Sequence, residues 1–415
     1  MPSQRRALAR ATAVDIAAAS FIGEPPSLCG IELEWPVHRY DDVGTRPTHP
    51  ELLAAAQGPL PHGGRVTIEP GGQIELSTLP AATADATLDA ATMDSTTLHE
   101  RLRRAGLVTA ELAVDTRRSP HRILTAARYA CMEEFFSSTG DAGSWMMCNT
   151  ASLQVNLSHL AVDPQRRWKL AHQLGPILIA AFAHSPGLDA AGRRWESMRQ
   201  AIWWSIDPGR TRPPCLRTAG PDAWLHYAMC ADVMLMRSAD ASTAVPIAPG
   251  LPFGRWLAEG HEGTWPTVED LRYHLTTLFP PIRPRGWLEL RMLDLLPTRL
   301  RDVATVVVLA ALTTPAADEL EERLPSTEGL WCASARYAMG HPALANAART
   351  LFDTVLPAVE AVTTSAGRRD DVGAFAQEYI ARAMSPAQRV GSRELGSAFA
   401  PSLSFDRATQ HALAG

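Results

Sequence analysis

The chain has 415 residues, 46% of them hydrophobic and 20% charged, with a formal charge of −5. Such a composition is that of an ordinary soluble globular protein, and the acidic balance argues against a general nucleic-acid binder, which would carry a basic surface. Lys169 is the one lysine among 39 basic residues. It sits in a polar helix start with no glycine-rich loop before it, so lysine-based Schiff-base or phosphate-loop chemistry is not expected.

In chain order, the first expected element is a soluble helix over 4–19. Asp15 interrupts its alanine-rich run, so the segment is not read as a secretory signal. Residues 30–35 alternate with period two, placing Ile31, Leu33 and Trp35 on one face and Glu32 and Glu34 on the other. Segment 36–64 reads as a long surface loop. Residues 65–69 and 73–77 form a hairpin around Pro70-Gly71-Gly72. A further strand is expected over 107–114. Residues 151–158 alternate Leu153, Val155 and Leu157 against Gln154 and Asn156. Segment 240–266, rich in Pro and Gly, is a candidate lid. Residues 286–293 alternate Leu288, Leu290 and Met292 against Glu289 and Arg291. Helices are expected over 82–105, 119–137, 164–184, 190–206, 222–237, 267–278, 298–312, 341–363 and 371–384. About six strands in hairpins, with helices in blocks, indicate an α+β fold with an antiparallel sheet.

The longest apolar runs, 174–183 and 303–312, fall far short of the ~20 residues a membrane span needs. The six cysteines are scattered without a C-x-x-C pair, which fits reduced thiols and a cytoplasmic protein. No phosphate-binding loop, dinucleotide fingerprint, H-E-x-x-H or G-x-S-x-G occurs.

The polar strand faces carry the chemistry. Glu32, Glu34, Glu75 and Glu289, with Glu69 at the hairpin, have few basic partners within their own strands. Carboxylates so placed repel one another and raise each other's pKa values. A hard divalent cation, Mg²⁺ or Mn²⁺, is the simplest compensation, and Gln154 offers a neutral oxygen beside them. Arg291 falls on the face of Glu289, where a guanidinium could hold a phosphoryl oxygen bidentately.

Gly30-Ile31-Glu32-Leu33-Glu34 and Ile68-Glu69-Pro70-Gly71-Gly72-Gln73-Ile74-Glu75-Leu76-Ser77 come first. Met146-Met147-Cys148-Asn149-Thr150, then Ser197-Met198-Arg199-Gln200-Ala201-Ile202-Trp203, then Trp287-Leu288-Glu289-Leu290-Arg291 follow in this order. Together the motifs resemble the plant-like branch of the glutamate–cysteine ligases. The resemblance covers 28–310 within one catalytic domain over 1–415, whose part 311–415 is helical. It implies a glutamine-synthetase-like fold, a curved antiparallel funnel covered by helices on its outer face. It also implies ATP-dependent ligation of L-glutamate to L-cysteine through a γ-glutamyl phosphate, with two or three Mg²⁺ ions, Mn²⁺ being a substitute.

By the same resemblance, Glu32, Glu34, Glu69, Glu75, Gln154 and Glu289 would be metal ligands. Arg291 would stabilise the transferring phosphate and, with Asn156, contact the nucleotide. Arg199 and Arg210 would hold the glutamate carboxylate or the phosphate, and Trp203, Trp204 and Tyr227 would wall the cysteine pocket. The arginine-heavy composition resembles that of GC-rich actinobacteria, where the family's product serves ergothioneine synthesis. A ligase of the same superfamily with another amine acceptor is the alternative. Small-molecule substrates alone are expected as partners, with no nucleic acid or membrane, in a monomer or small homo-oligomer.

Overall fold

The structure is a computed structural model that describes residues 7–23, 27–160, 162–238, 243–390, 395 and 399–414. Its centre is a six-stranded, wholly antiparallel open sheet. In chain order the strands are β1 (Cys29–Trp35), β2 (Arg65–Ile68), β3 (Ile74–Ser77), β4 (Ser152–Ser158), β5 (Ile282–Pro284) and β6 (Trp287–Asp294). Across the sheet they run β5-β6-β4-β1-β3-β2.

Period-two alternation sorts the side chains. Ile31, Leu33, Leu76, Leu153, Val155, Leu157, Leu288 and Leu290 are all buried in the main core. Against them pack the helices Ala84–Arg104, Pro164–Phe182 and Thr298–Thr313, through Leu88, Leu98, Leu174, Ile177, Val306 and Leu309. Burying one Leu or Val contributes about 1.5–3 kcal/mol, so this single face supplies most of the sheet's anchorage. The opposite face is left to the glutamates. Among the described residues, no single helix is long and apolar enough to cross a membrane.

Several expected elements differ from those found. Segment 107–114 yields only the strand Leu107–Thr109, which pairs with Val37–Arg39 in a separate two-stranded sheet. The sixth main strand is β5, a short edge strand whose Ile-Arg-Pro sequence has no alternation to reveal it. Helix 119–137 starts only at Ala127, and 190–206 is helical only over Met198–Trp204. Helix 222–237 ends at Cys230, and Leu235–Arg237 becomes a strand. The first helix begins at Arg10; positions 4–6 of the expected span lie outside the described residues.

The segment 240–266 is not an open loop. Residues 239–242 lie outside the described set. Beyond them Ala244–Pro246 pairs with Leu235–Arg237, and Phe253–Glu259 is a helix. Phe253 and Trp256 are buried with Leu8, Leu251 and Leu271 in a cluster of their own. Apolar anchorage of that kind holds the segment in place and weakens the case for a lid. Segment 36–64 likewise contains the helix His49–Ala56, started by a capping box between Thr48 and Glu51.

A buried ion cluster fastens the two-stranded sheet to the central one. The Asp115 Oδ2 accepts from His38 Nε2 at 2.9 Å and from Arg118 Nε and Nη2 at 2.9 and 2.7 Å. The Asp115 amide donates to Asn149 O at 2.8 Å. Burial opposes ionisation of Asp115, but the His38 bond and the Arg118 charge outweigh it and hold the pKa near about 2. A depressed carboxyl contributes stability that is complete above its unfolded pKa of ~3.9 and is lost as pH falls through the folded value. Asp115→Asn should therefore cost roughly 3 kcal/mol or more at neutral pH and flatten the loss of stability between about pH 4 and 2. Urea titrations of both proteins across that range check this; parallel curves would remove Asp115 from the account.

Candidate active site

The register of the sheet brings the expected polar residues onto one face. Glu32 stands opposite Gln154 and Ser77, Glu34 opposite Glu75, and Glu289 opposite Asn156. Directly opposed side chains share a face, so four separate strands bring their polar residues together there. Glu69 joins from the hairpin. Its turn is fixed by Gly72, at φ +87°, and by Gln73, whose side chain donates to Thr150 O at 2.9 Å and accepts from the Gly71 amide at 3.1 Å.

Neutral donors hold the carboxylates. Asn156 Nδ2 donates to Glu32 at 3.0 Å, Gln154 Nε2 to Glu34 at 3.2 Å, and Thr67 Oγ1 to Glu75 at 2.8 Å. Burial, together with the neighbouring Glu289 and Glu75, pushes Glu32 up to about 7. Burial and the Glu75 and Glu34 charges push Glu69 up to about 8. Glu34 and Glu75 rise as well, through burial first and then like-charged neighbours.

Glu289 behaves oppositely. Burial disfavours its charge, but Arg283, Arg291 and Arg285 surround it and hold it well below the ordinary carboxylate range. Their donors lie at 2.5, 3.1 and 3.3 Å. Arg283 comes from β5 and was not anticipated from the sequence.

Arg291 occupies a break in the ladder. The register of β6 against β4 shifts between Leu290 and Leu293, so one extra residue is accommodated opposite Gln154. A bulge of this kind re-aims a side chain beside a functional site. Arg291 Nη1 donates to Gln154 Oε1 at 2.7 Å and to Glu289, while its buried Nε has no partner. The Gln154 oxygen is thereby already occupied by a guanidinium.

Arg199 reaches the same place from the helix Met198–Trp204. Only 2% exposed, it donates through Nη2 to Arg291 O at 3.0 Å, and its buried Nε and Nη1 have no partner. Asp294 positions that helix by accepting from Ser197 Oγ and Ser185 Oγ, each at 2.8 Å. Ser197 in turn caps the helix. Asp294 was not anticipated, because it lies past the Leu-Glu-Leu-Arg run.

Two cavities flank this face. One of about 640 Å³ is lined by Gly30, Glu32, Ser77, Asn156 and Trp287 among others. The other, of about 160 Å³, is lined by Glu34, Glu69, Arg128, Tyr129, Trp203 and Arg291, with a wall of Met132, Met146 and Met147. Arg128 and Tyr129 were hidden in the sequence inside an expected continuous helix.

Arg199 stands behind Arg291 and lines neither cavity, and three further expected pocket residues do not line them either. Arg210 is wholly buried, and its guanidinium is committed to Asp207, Thr277 and the Asp232 carbonyl. Tyr227 stacks on Trp224 in the core, with ring centroids 5.7 Å apart. Trp204 donates to Thr409 and lies under Arg212, toward the C-terminal helix Arg407–Ala414. All three are drawn away by packing, which residue type alone does not reveal. Trp203, next in sequence to Trp204, lies on the other side and does line the smaller cavity.

Among the described residues no three His, Cys, Asp or Glu side chains stand together as a formed metal centre. The donor set nevertheless suits a hard cation. It is all oxygen, and burial and like-charged neighbours raise the pKa values of four of its glutamates, which a bound cation would relieve. A face of carboxylates and two incompletely satisfied arginines, set between a larger and a smaller cavity, offers both cation ligands and donors for anionic oxygens.

Residues 28–383 match the model of glutamate–cysteine ligase family 2. The chain is 39% identical over 357 residues to the glutamate–cysteine ligase EgtA of Mycolicibacterium smegmatis, covering 82% of each chain. It is 38% identical over 346 residues to EgtA of Mycobacterium tuberculosis, covering 79% of this chain and 78% of that one. The structure of the Francisella tularensis glutamate–cysteine ligase, solved with AMP, superposes with a TM-score of 0.52. The identity there is 13%, over 89% of this chain and 84% of that one, which speaks for the glutamine-synthetase-like fold alone. The chain belongs to glutamate–cysteine ligase family 2.

Proposed function

We propose that this enzyme joins the γ-carboxylate of L-glutamate to the amine of L-cysteine, using ATP and giving γ-glutamylcysteine, ADP and phosphate. The observation that carries this reading is that the glutamate face has a cavity on either side, with Glu32 at the wall of one and Glu34 at the wall of the other. The larger cavity is of a size for a nucleotide, with Asn156 and Glu32 at its wall. The smaller suits an amino acid, with Arg291 and Glu34 at its wall. A phosphoryl group leaving one cavity would meet a carboxylate held in the other. The mycobacterial relatives carry the same activity in their names.

An amine does not displace oxide from a carboxylate, so a γ-oxygen must first take the terminal phosphoryl group of ATP, releasing ADP. The cysteine amine then attacks the acyl carbon, phosphate leaves with that oxygen, and the nitrogen gives up a proton. Phosphoryl transfer asks mainly for positioning and charge neutralisation. Arg291 offers its free Nε to a phosphoryl oxygen. Arg199 offers Nε and Nη1 as a fork for a carboxylate. Bound Mg²⁺, held through oxygens of Glu32, Glu34, Glu69 and Glu75, with Glu289 and Gln154 beside them, would supply the positive charge this transfer needs. The methionine wall excludes water from an acyl phosphate and matches a small thiol side chain in polarisability.

An ADP-release assay with Mg-ATP and glutamate, paired with cysteine and then with other amines, tests the reading. Mass detection should give γ-glutamylcysteine, with cysteine preferred. Turnover with another amine and none with cysteine would reassign the acceptor. As a cytoplasmic enzyme its product would feed ergothioneine synthesis, and deleting its gene should then remove ergothioneine from the host.

A further inference from the structure

A third cavity, of about 820 Å³, shares no lining residue with the two beside the glutamates. Its wall carries Arg46, Arg117, Arg118 and Arg122, with His49 and His121, and no acidic residue among the described ones. Arg122 is balanced by Glu133, and Arg118 by Asp115, which His38 also shares. Arg46 is different. Its donors reach only neutral acceptors: the carbonyls of Gly71, Cys148 and Ser119 and the Asn149 amide oxygen. Arg117 is exposed and has no carboxylate partner among the described residues. Two guanidinium charges therefore go uncompensated in one concavity.

Arg118 supplies an independent sign of a missing ligand. Its side chain is 5% exposed, and two of its nitrogens bind Asp115, yet its buried Nη1 has no partner. A buried unpaired donor costs about 1–3 kcal/mol, more when charged, so an acceptor there would be strongly favoured. Burial first, and then the Arg118 charge, pull the Arg46 guanidinium down to about 10, with Asp115 offsetting only part of this.

We propose that this cavity is a binding site for a multiply charged oxyanion, a metabolite presenting phosphate or several carboxylates. Planar guanidinium forks match either group. The place has a consequence for the catalytic face. Arg46 holds Gly71 O at 2.8 Å, and the Ile123 amide holds Pro70 O at 2.7 Å, so the cavity wall braces the turn that carries Glu69. An anion that relieves the repulsion between Arg46 and Arg118 would firm that turn. The inference stands apart from the ligase reading, and its failure would leave that reading untouched.

Isothermal titration in EDTA withholds the metal that would draw anions to the glutamate face, and the Arg117 variants separate this site from the arginines there. Pyrophosphate and citrate are titrated in separate arms. At least one should bind saturably, and the tighter of the two assigns phosphate or carboxylate as the natural group. Arg117→Glu, at an exposed position, should weaken binding roughly tenfold, and Arg117→Gln by less. Arg104→Glu, at an exposed position outside the cavity lining, should leave it unchanged. Absence of saturable binding in both arms would overturn the proposal, as would equal weakening by Arg117→Glu and Arg104→Glu. Matching melting temperatures confirm that the variants fold.

Discussion

Arg291→Ala is expected to lower kcat roughly a hundredfold or more, which corresponds to at least about 2.7 kcal/mol of transition-state stabilisation. The fold should survive the change. Glu289, the buried carboxylate that Arg291 contacts, keeps Arg283 at 2.5 Å and Arg285 at 3.3 Å, so no charge is stranded. What disappears is the one guanidinium that borders the smaller cavity and has a buried free Nε. Arg291→Lys retains the charge without the fork and should recover part of the rate. An interaction made mainly in the transition state lowers kcat and kcat/KM together, whereas a ground-state contact would move KM alone. Steady-state kinetics with unchanged melting temperature would establish the role; near-normal kcat would remove Arg291 from the mechanism.

Most of this site was legible because strands sort residues by parity. Ile31, Leu33, Val155 and Leu288 fix which face is buried, and Glu32, Glu34, Gln154, Asn156 and Glu289 follow onto the other. What parity cannot register is an interruption. The bulge at Arg291 depends on how β6 meets β4, a property of two strands and not of either sequence. Side chains brought in by helices and loops were harder still. Arg199 and Arg210 have equal claims as residue types. Yet Arg199 is left with two free nitrogens near Glu34, while Arg210 is consumed by Asp207, Thr277 and Asp232. Trp203 and Trp204 diverge for a similar reason, adjacent positions on a helix facing different neighbours. Arg283 escaped notice because a three-residue edge strand ending in proline carries too little pattern to be read.

Gly71→Ala should be a severely damaging single-methyl change. A Cβ there would lie 2.2 Å from Cys148 O and 2.3 Å from Cys148 Cα, and backbone atoms cannot rotate away. The contact is held tight from both sides. Arg46 Nη1 bonds Gly71 O and Cys148 O together, and Gln73 ties the turn to Thr150 O. The added methyl must push the Glu69 turn off the end of the helix Ala142–Asn149, which carries Met146 and Met147 into the smaller cavity. Overpacking against yielding side chains costs about 1–3 kcal/mol, and against backbone the upper end or beyond applies. We expect the melting temperature to fall by roughly 3 °C or more, and turnover to fall further because Glu69 is displaced. Gly373→Ala is the control. It lies in the helix Ala366–Phe375 with nothing within 4 Å of a new Cβ, and alanine there should be neutral or slightly stabilising. If Gly71→Ala melts and turns over like the parent, the turn does not fix Glu69, and the packing of the Glu-Pro-Gly-Gly-Gln segment against Cys148 is not what shapes the glutamate face.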